Sequence, residues 1–224
     1  MNSWLDQVSA LLWKDLLTEL RTRELLGGMA LFTFLVLLTF NFAFDLRIDN
    51  VGSVAPGILW VAFSFAGILG LGRSFVQEKD RGAMDGLLVA PVDRGAIYLA
   101  KFLGNLLFMI VVEAIALPVF TMFFNFGVAT PSLALVIFLG TAGFAAVGTL
   151  FAAMAANTRA RDVMLPLLVF PICVPVIIAS VAATSLVIDG GTLTNRLGWL
   201  EMLAAFDLIF GILCFVVFEF VVEE

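Results

Sequence analysis

The chain is expected to be all-α: a polytopic membrane domain of six transmembrane helices preceded by an amphipathic interfacial helix, with both termini in the cytoplasm. Two observations lead there. Six apolar stretches, residues 25–44, 56–72, 102–126, 133–156, 163–188 and 202–222, are each near the length needed to cross a bilayer. That length is about 20 residues for a hydrocarbon core ~30 Å thick, at a rise of about 1.5 Å per residue. The basic residues between these stretches are also asymmetric. Alternating the segments places Lys14, Arg21, Arg23, Arg73, Lys79, Arg81, Arg94, Lys101, Arg159 and Arg161 on one side and leaves Arg47 and Arg196 on the other. Ten against two orients the richer side toward the cytoplasm.

Composition excludes a water-soluble domain. With 62% hydrophobic and 13% charged residues, and a mean hydropathy of +1.11, there is too little polar surface to face water all round. The charges throughout residues 1–24 and the lack of a small-residue cleavage site argue against a removable signal peptide. The net charge of −6 says little about partners, because placement of charge matters more than its sum in a membrane chain. The chain has no histidine, which removes the commonest proton shuttle, metal ligand and haem ligand. Cys173 and Cys214 fall inside spans and are expected to be packing residues.

Each segment has its own justification. Before the first span, Leu5, Val8, Leu12, Leu16 and Leu20 recur at steps of three and four opposite Gln7, Lys14, Thr18 and Arg21, which is helical periodicity. Trp4 and Trp13 suit the headgroup level. Asp15 and Glu19 intrude on the apolar flank, so with Lys14 they are candidates for contact with another helix or another protein.

The longest polar stretch, residues 73–101, lies between the second and third spans. A short helix-compatible run ends at Pro91, after which Asp93 can cap a new helix, with Val92 and Ile97 as a hydrophobic staple. The fifth span holds Pro166, Pro171 and Pro175, so a kinked or broken helix is expected. Beyond it, Asp189, Gly190, Gly191 and Asn195 form an external loop that can dip back into the membrane. Gly67, Gly70 and Gly72 in the second span, and Gly140, Gly143 and Gly148 in the fourth, permit close helix contact.

Three acids fall inside spans. Glu113 is about 16 Å along the third span, close to the bilayer centre. A central charge there costs about 2.5 to 3.5 kcal/mol, so the group must be neutral, paired or facing a polar cavity. Asp207 is placed a little inside the external end of the sixth span and Glu219 near its cytoplasmic end. An interhelical hydrogen bond that sets register competes with a role on a transport path for Glu113 and Asp207.

The run Glu78-Lys79-Asp80-Arg81-Gly82, then Asp85-Gly86-Leu87-Leu88 and Ala90-Pro91-Val92-Asp93, resembles the first cytoplasmic loop of ABC-2 type permeases, where it marks a coupling helix. With Leu11-Leu12-Trp13-Lys14-Asp15-Leu16, Asn41-Phe42-Ala43-Phe44, Pro56-Gly57-Ile58-Leu59-Trp60, Arg73-Ser74-Phe75 and Asp93-Arg94-Gly95, the chain is similar to the haem exporter protein B (CcmB) family of the cytochrome c maturation system. The resemblance covers nearly the whole chain. It implies a permease of the bacterial inner membrane that works as a dimer with a separate ABC ATPase subunit. Haem-handling membrane proteins and a periplasmic haem chaperone are the further partners it implies.

On that reading Glu78, Lys79, Asp80, Arg81, Gly82, Asp85, Gly86, Pro91 and Arg94 couple the permease to its ATPase. No cofactor is expected to be tightly bound; haem is a transient cargo, and ATP is met only through the partner subunit. Independently, the chain contains no G-x-x-x-x-G-K-[ST] run, no paired-carboxylate or Ser-His arrangement that would support catalysis, and nothing that points to nucleic acid. Two other classes remain: an ion-coupled carrier using Glu113 and Asp207, and a non-transporting scaffold for haem-handling proteins.

Overall fold

A computed structural model describes residues 4–44, 53–80, 92–124, 130–156, 158, 160–190 and 193–221. Among these residues the secondary structure consists of α1 (Trp4–Thr22), α2 (Glu24–Phe44), α3 (Ala55–Asp80), α4 (Arg94–Phe124), α5 (Pro131–Ala156), α6 (Arg161–Ile188) and α7 (Leu193–Val221). Helices α2 to α7 are the six that are long and apolar enough to cross a membrane. The chain is therefore a multi-pass membrane protein.

Helix α5 is the hub. Its buried positions include Gly140, Thr141, Gly143, Ala145, Ala146, Gly148, Thr149, Ala152 and Ala153, so it offers neighbours a thin cylinder and packs on α3, α4, α6 and α7. Large side chains fill the resulting grooves: Trp60 of α3 lies over Gly140, Leu71 of α3 over Gly148, and Phe206 and Asp207 of α7 over Gly143. The same knob-against-glycine device joins α3 to its other neighbours, with Met109 of α4 against Gly67 and Met29 of α2 against Gly70. Without a hydrophobic driving force between helices in lipid, this close approach is the main source of cohesion. Thr130 starts α5, its hydroxyl accepting from the Leu133 N–H at 3.3 Å, and Pro131 takes the first helical position, where its missing donor is harmless.

Helices α1 and α2 meet at Arg23, which has a left-handed φ of 55° and donates its N–H to the Glu19 carbonyl at 2.7 Å. This closes the C-terminus of α1 and turns the chain into α2. One face of α1, with Val8 and Glu19, is buried, chiefly against α4, while Leu5, Trp13 and Leu20 of the adjoining apolar stripe are exposed.

Two expectations are corrected. Of the kinked or broken helix expected from Pro166, Pro171 and Pro175, the break does not occur: α6 is continuous from Arg161 to Ile188. Its buried face, Leu165, Val169, Cys173, Val176, Ser180 and Ala183, keeps helical spacing past all three prolines, and packing on α3, α5 and α7 holds the backbone where hydrogen bonds are lost. The external loop expected from Asp189, Gly190, Gly191 and Asn195 is also shorter than that, with Gly191 outside the described residues. Gly190 turns with φ of 72°, and Asn195 already belongs to the first turn of α7, which begins at Leu193. Cys173 and Cys214 are free and buried.

Candidate functional site: the α1–α4 clamp and the intramembrane polar residues

The coupling residues expected on the cytoplasmic side fall in three places. Glu78, Lys79 and Asp80 form the end of α3, which runs on past the apolar stretch, and Arg94 is the first residue of α4. Arg81, Gly82, Asp85, Gly86 and Pro91 lie outside the described residues. The segment that carries them is thus suspended between two helices that continue directly into the membrane domain.

The start of α4 is tied down by α1. Asp93 accepts at Oδ1 from the Ala96 N–H at 3.2 Å, capping α4, while Val92 and Ile97 both pack into the core. The Trp4 indole N–H donates to the same Asp93 oxygen at 3.3 Å, and the Asp93 N–H donates to Gln7 Oε1 at 3.1 Å. Two turns further along α4, the Lys101 ammonium lies 2.8 Å from Asp15 Oδ2 and 5.7 Å from the centroid of Phe75 on α3. Lys14, exposed, pairs at 3.3 Å with the other Asp15 oxygen.

Glu19 completes the clamp. It is 5% exposed, and its Oε1 accepts from the Leu26 N–H at 2.8 Å, so it satisfies a backbone donor in the first turn of α2. The acids that disturb the apolar flank of α1 therefore bind α1 to α4 and α2. Their partners are in this same chain.

The second group lies at mid-membrane depth. Glu113 of α4 is 2% exposed and accepts at Oε1 from the Thr141 hydroxyl at 2.7 Å, while Oε2 is buried without a partner. Asp207 is placed differently from the expectation: it is the fifteenth of the 29 residues of α7, at the middle of that helix, not near its external end. The cause is that α7 continues outward from the apolar stretch to Leu193. Asp207 Oδ1 lies over Gly143, buried and unpartnered. Thr141 and Gly143 are the eleventh and thirteenth of the 26 residues of α5, both just before its centre, so both acids sit at similar depth on different sides of that helix. Glu219 is exposed two residues before the end of α7.

Asp207 also lines a groove of about 360 Å³ between α4, α5 and α7, whose walls include Tyr98, Phe102, Ile212 and Phe215. Tyr98 is fixed by donation of its hydroxyl to the Ala146 carbonyl at 3.0 Å.

Sequence reasoning did not single out several intramembrane pairs. The Trp60 indole donates to the Thr184 hydroxyl at 2.9 Å, and Asn105 Nδ2 donates to the Thr149 hydroxyl at 3.0 Å. Ser180 Oγ lies over Gly140 and is unpartnered. The signal for these was residue type, since a polar side chain inside an apolar span must face protein, but the choice of partner is not local.

Comparison with known proteins agrees with this architecture. Residues 6–221 match the family described as "CcmB protein". "Heme exporter protein B" of Bradyrhizobium diazoefficiens is 30% identical over 186 residues, covering 82% of this chain and 83% of that one. The protein of the same name from Paracoccus denitrificans is 33% identical over 174 residues, covering 76% and 79%, and that from Pseudomonas aeruginosa is 27% identical over 189 residues, covering 84% of each. A helical membrane domain matched along almost its whole length in this way belongs to the CcmB family.

Proposed function

We propose that this chain is the permease subunit of an ABC-type haem export complex of the bacterial inner membrane, serving cytochrome c assembly and driven by a separate ATPase. The observation that carries the reading is the arrangement around residues 81–91: α3 and α4 enter the membrane domain without a break on either side of that segment, and α1 clamps the first turns of α4. A push on the segment is therefore delivered to helices that touch the central α5. A flexible tether would absorb it. The absence of a phosphate-binding run from the sequence leaves hydrolysis to another polypeptide, and the transporter acts through conformation rather than catalysis.

Glu78, Lys79, Asp80, Arg81, Asp85 and Arg94 are the proposed ATPase contacts, with Gly82, Gly86 and Pro91 shaping the segment. Haem, or release of its loaded periplasmic chaperone, is the proposed output. Purification in mild detergent is the test: an ATP-binding subunit in equal amount supports the reading, and Glu78→Lys or Arg81→Glu reduces its recovery while leaving membrane insertion intact. If both reversals leave ATPase binding and turnover unchanged, the assignment of the segment is wrong.

The orphaned oxygens of Glu113 and Asp207 are the observation in favour of an ion-coupled carrier. That reading requires proton flux into proteoliposomes holding this chain alone, abolished by Glu113→Gln. The enclosure of Glu113 against Thr141 favours a structural role instead.

A further inference from the structure

A second groove, distinct from the one lined by Asp207, opens between α2 and α3. It has a volume of about 270 Å³ and is lined by Leu25, Gly28, Leu31, Phe32, Leu35 and Leu69 with Arg73. Leu31, Leu35 and Leu69 are exposed within membrane-spanning segments, so the groove faces hydrocarbon. The positions on α2 follow one another turn by turn from residue 25 to 35, a length of about 15 Å. The groove is a linear channel, suited to a chain rather than a plate.

Its polar end is equally specific. Arg73 is exposed and has no hydrogen-bond or ion-pair partner among the described residues, although it lies within an apolar span, two turns before the end of α3. Lateral packing fixes its depth: Gly70 sits against Met29, which puts Arg73 at the level of the first turn of α2, the cytoplasmic mouth of the groove. Arg21 and Arg23 are exposed on the adjoining α1–α2 junction, with Glu24 the acid among them. At Gly28 a Cβ would meet nothing within 4 Å, so the wall is open there.

We propose that this groove binds one anionic phospholipid of the cytoplasmic leaflet, its phosphate on the Arg73 guanidinium and one acyl chain along Gly28, Leu31 and Leu35. A guanidinium at the interface matches a phosphate by bidentate hydrogen bonding, and basic pockets between helices on the cytoplasmic side bind anionic headgroups. The lipid thereby fills the seam between α2 and α3 that protein side chains leave open. This proposal is independent of the ATPase assignment.

The test is native mass spectrometry of the purified full chain titrated with phosphatidylglycerol or phosphatidylcholine, with thermal unfolding followed in parallel. Phosphatidylglycerol binds preferentially and raises the melting temperature. Arg73→Gln weakens its binding about fivefold, the loss expected for one basic residue, and Arg73→Lys retains most of it. Gly28→Phe blocks the channel without changing the lipid-free melting temperature; should it misfold, the Gln and Lys variants at Arg73 decide. Equal binding of the two lipids, or indifference to Arg73→Gln, overturns the proposal. So does displacement of the lipid by haemin with the same variant dependence, which would give the groove to cargo, or a loss of dimer in Arg73→Gln at unchanged lipid binding, which would give it to a second copy.

Discussion

The Lys101 ammonium and the Asp15 carboxylate, 2.8 Å apart, join the interfacial helix α1 to the first membrane turns of α4. Both are largely enclosed, with side-chain exposures of 6% and 16%, and Phe75 covers the ammonium from α3. Removal of one partner from a buried pair costs about 3–5 kcal/mol, whereas replacing both by apolar groups can be neutral. We expect Asp15→Ala to release α1 and destabilise the protein by about 3 kcal/mol, and the double variant Asp15→Leu/Lys101→Met to recover much of that loss. Melting temperature and protease sensitivity of α1 measure both effects. If the double variant is as unstable as the sum of the singles, the two residues are not coupled.

Glu113 can keep its bond to Thr141 when its charge is removed. Glu113→Gln preserves an acceptor at the Oε1 position and is expected to retain transport and to change stability by no more than about 0.6 kcal/mol, the usual scale of an interhelical hydrogen bond in a membrane. Glu113→Leu should lower stability further. Cytochrome c maturation in a strain dependent on the variant reports function, and complete loss in Glu113→Gln would point to proton chemistry.

At Gly140 an added Cβ would collide with Trp60 and Ser180, whereas at Gly27 it would meet nothing. Gly140→Val is therefore expected to cost at least about 1–3 kcal/mol by overpacking and to separate α3 from α5. Gly27→Ala is expected to be stabilising by up to about 1 kcal/mol, because it removes the entropic cost of glycine in a helix. Detergent melting curves compare them. Equal effects would mean that the glycines of α5 do not set helix spacing.

Gly143 is filled by Asp207, so the two positions should suppress one another. Gly143→Ala pushes the carboxylate off its seat and is expected to reduce folded yield, and Asp207→Gly in the same chain should restore part of it by removing the tightest contact, which leaves the Phe206 ring as the other neighbour. Fluorescence size-exclusion profiles read the yield. Failure of the second change to rescue the first would show that Asp207 contributes more than volume.

The six spans and the amphipathic character of α1 were legible in the sequence because they arise from local terms: transfer of about 20 consecutive side chains into hydrocarbon, and an apolar stripe at helical spacing. The cap at Asp93 was legible for the same reason, since it concerns residues three apart. Family resemblance could be read from runs such as Glu78 to Gly82. Partners could not be read in this way. Asp15 and Lys101 are 86 positions apart, Glu113 and Thr141 are 28 apart, and which helices meet depends on where α5 is thin enough to admit Trp60, Leu71 and Asp207. Local composition also misplaced Asp207 and allowed for a break in α6 that does not occur, because where a helix begins and whether it runs on past a proline depend on neighbouring helices as well as on hydropathy. The sequence by itself determined how many helices are long and apolar enough to cross the bilayer; tertiary packing alone decided what each buried polar group bonds to, because those bonds form between surfaces that exist only once the helices are side by side.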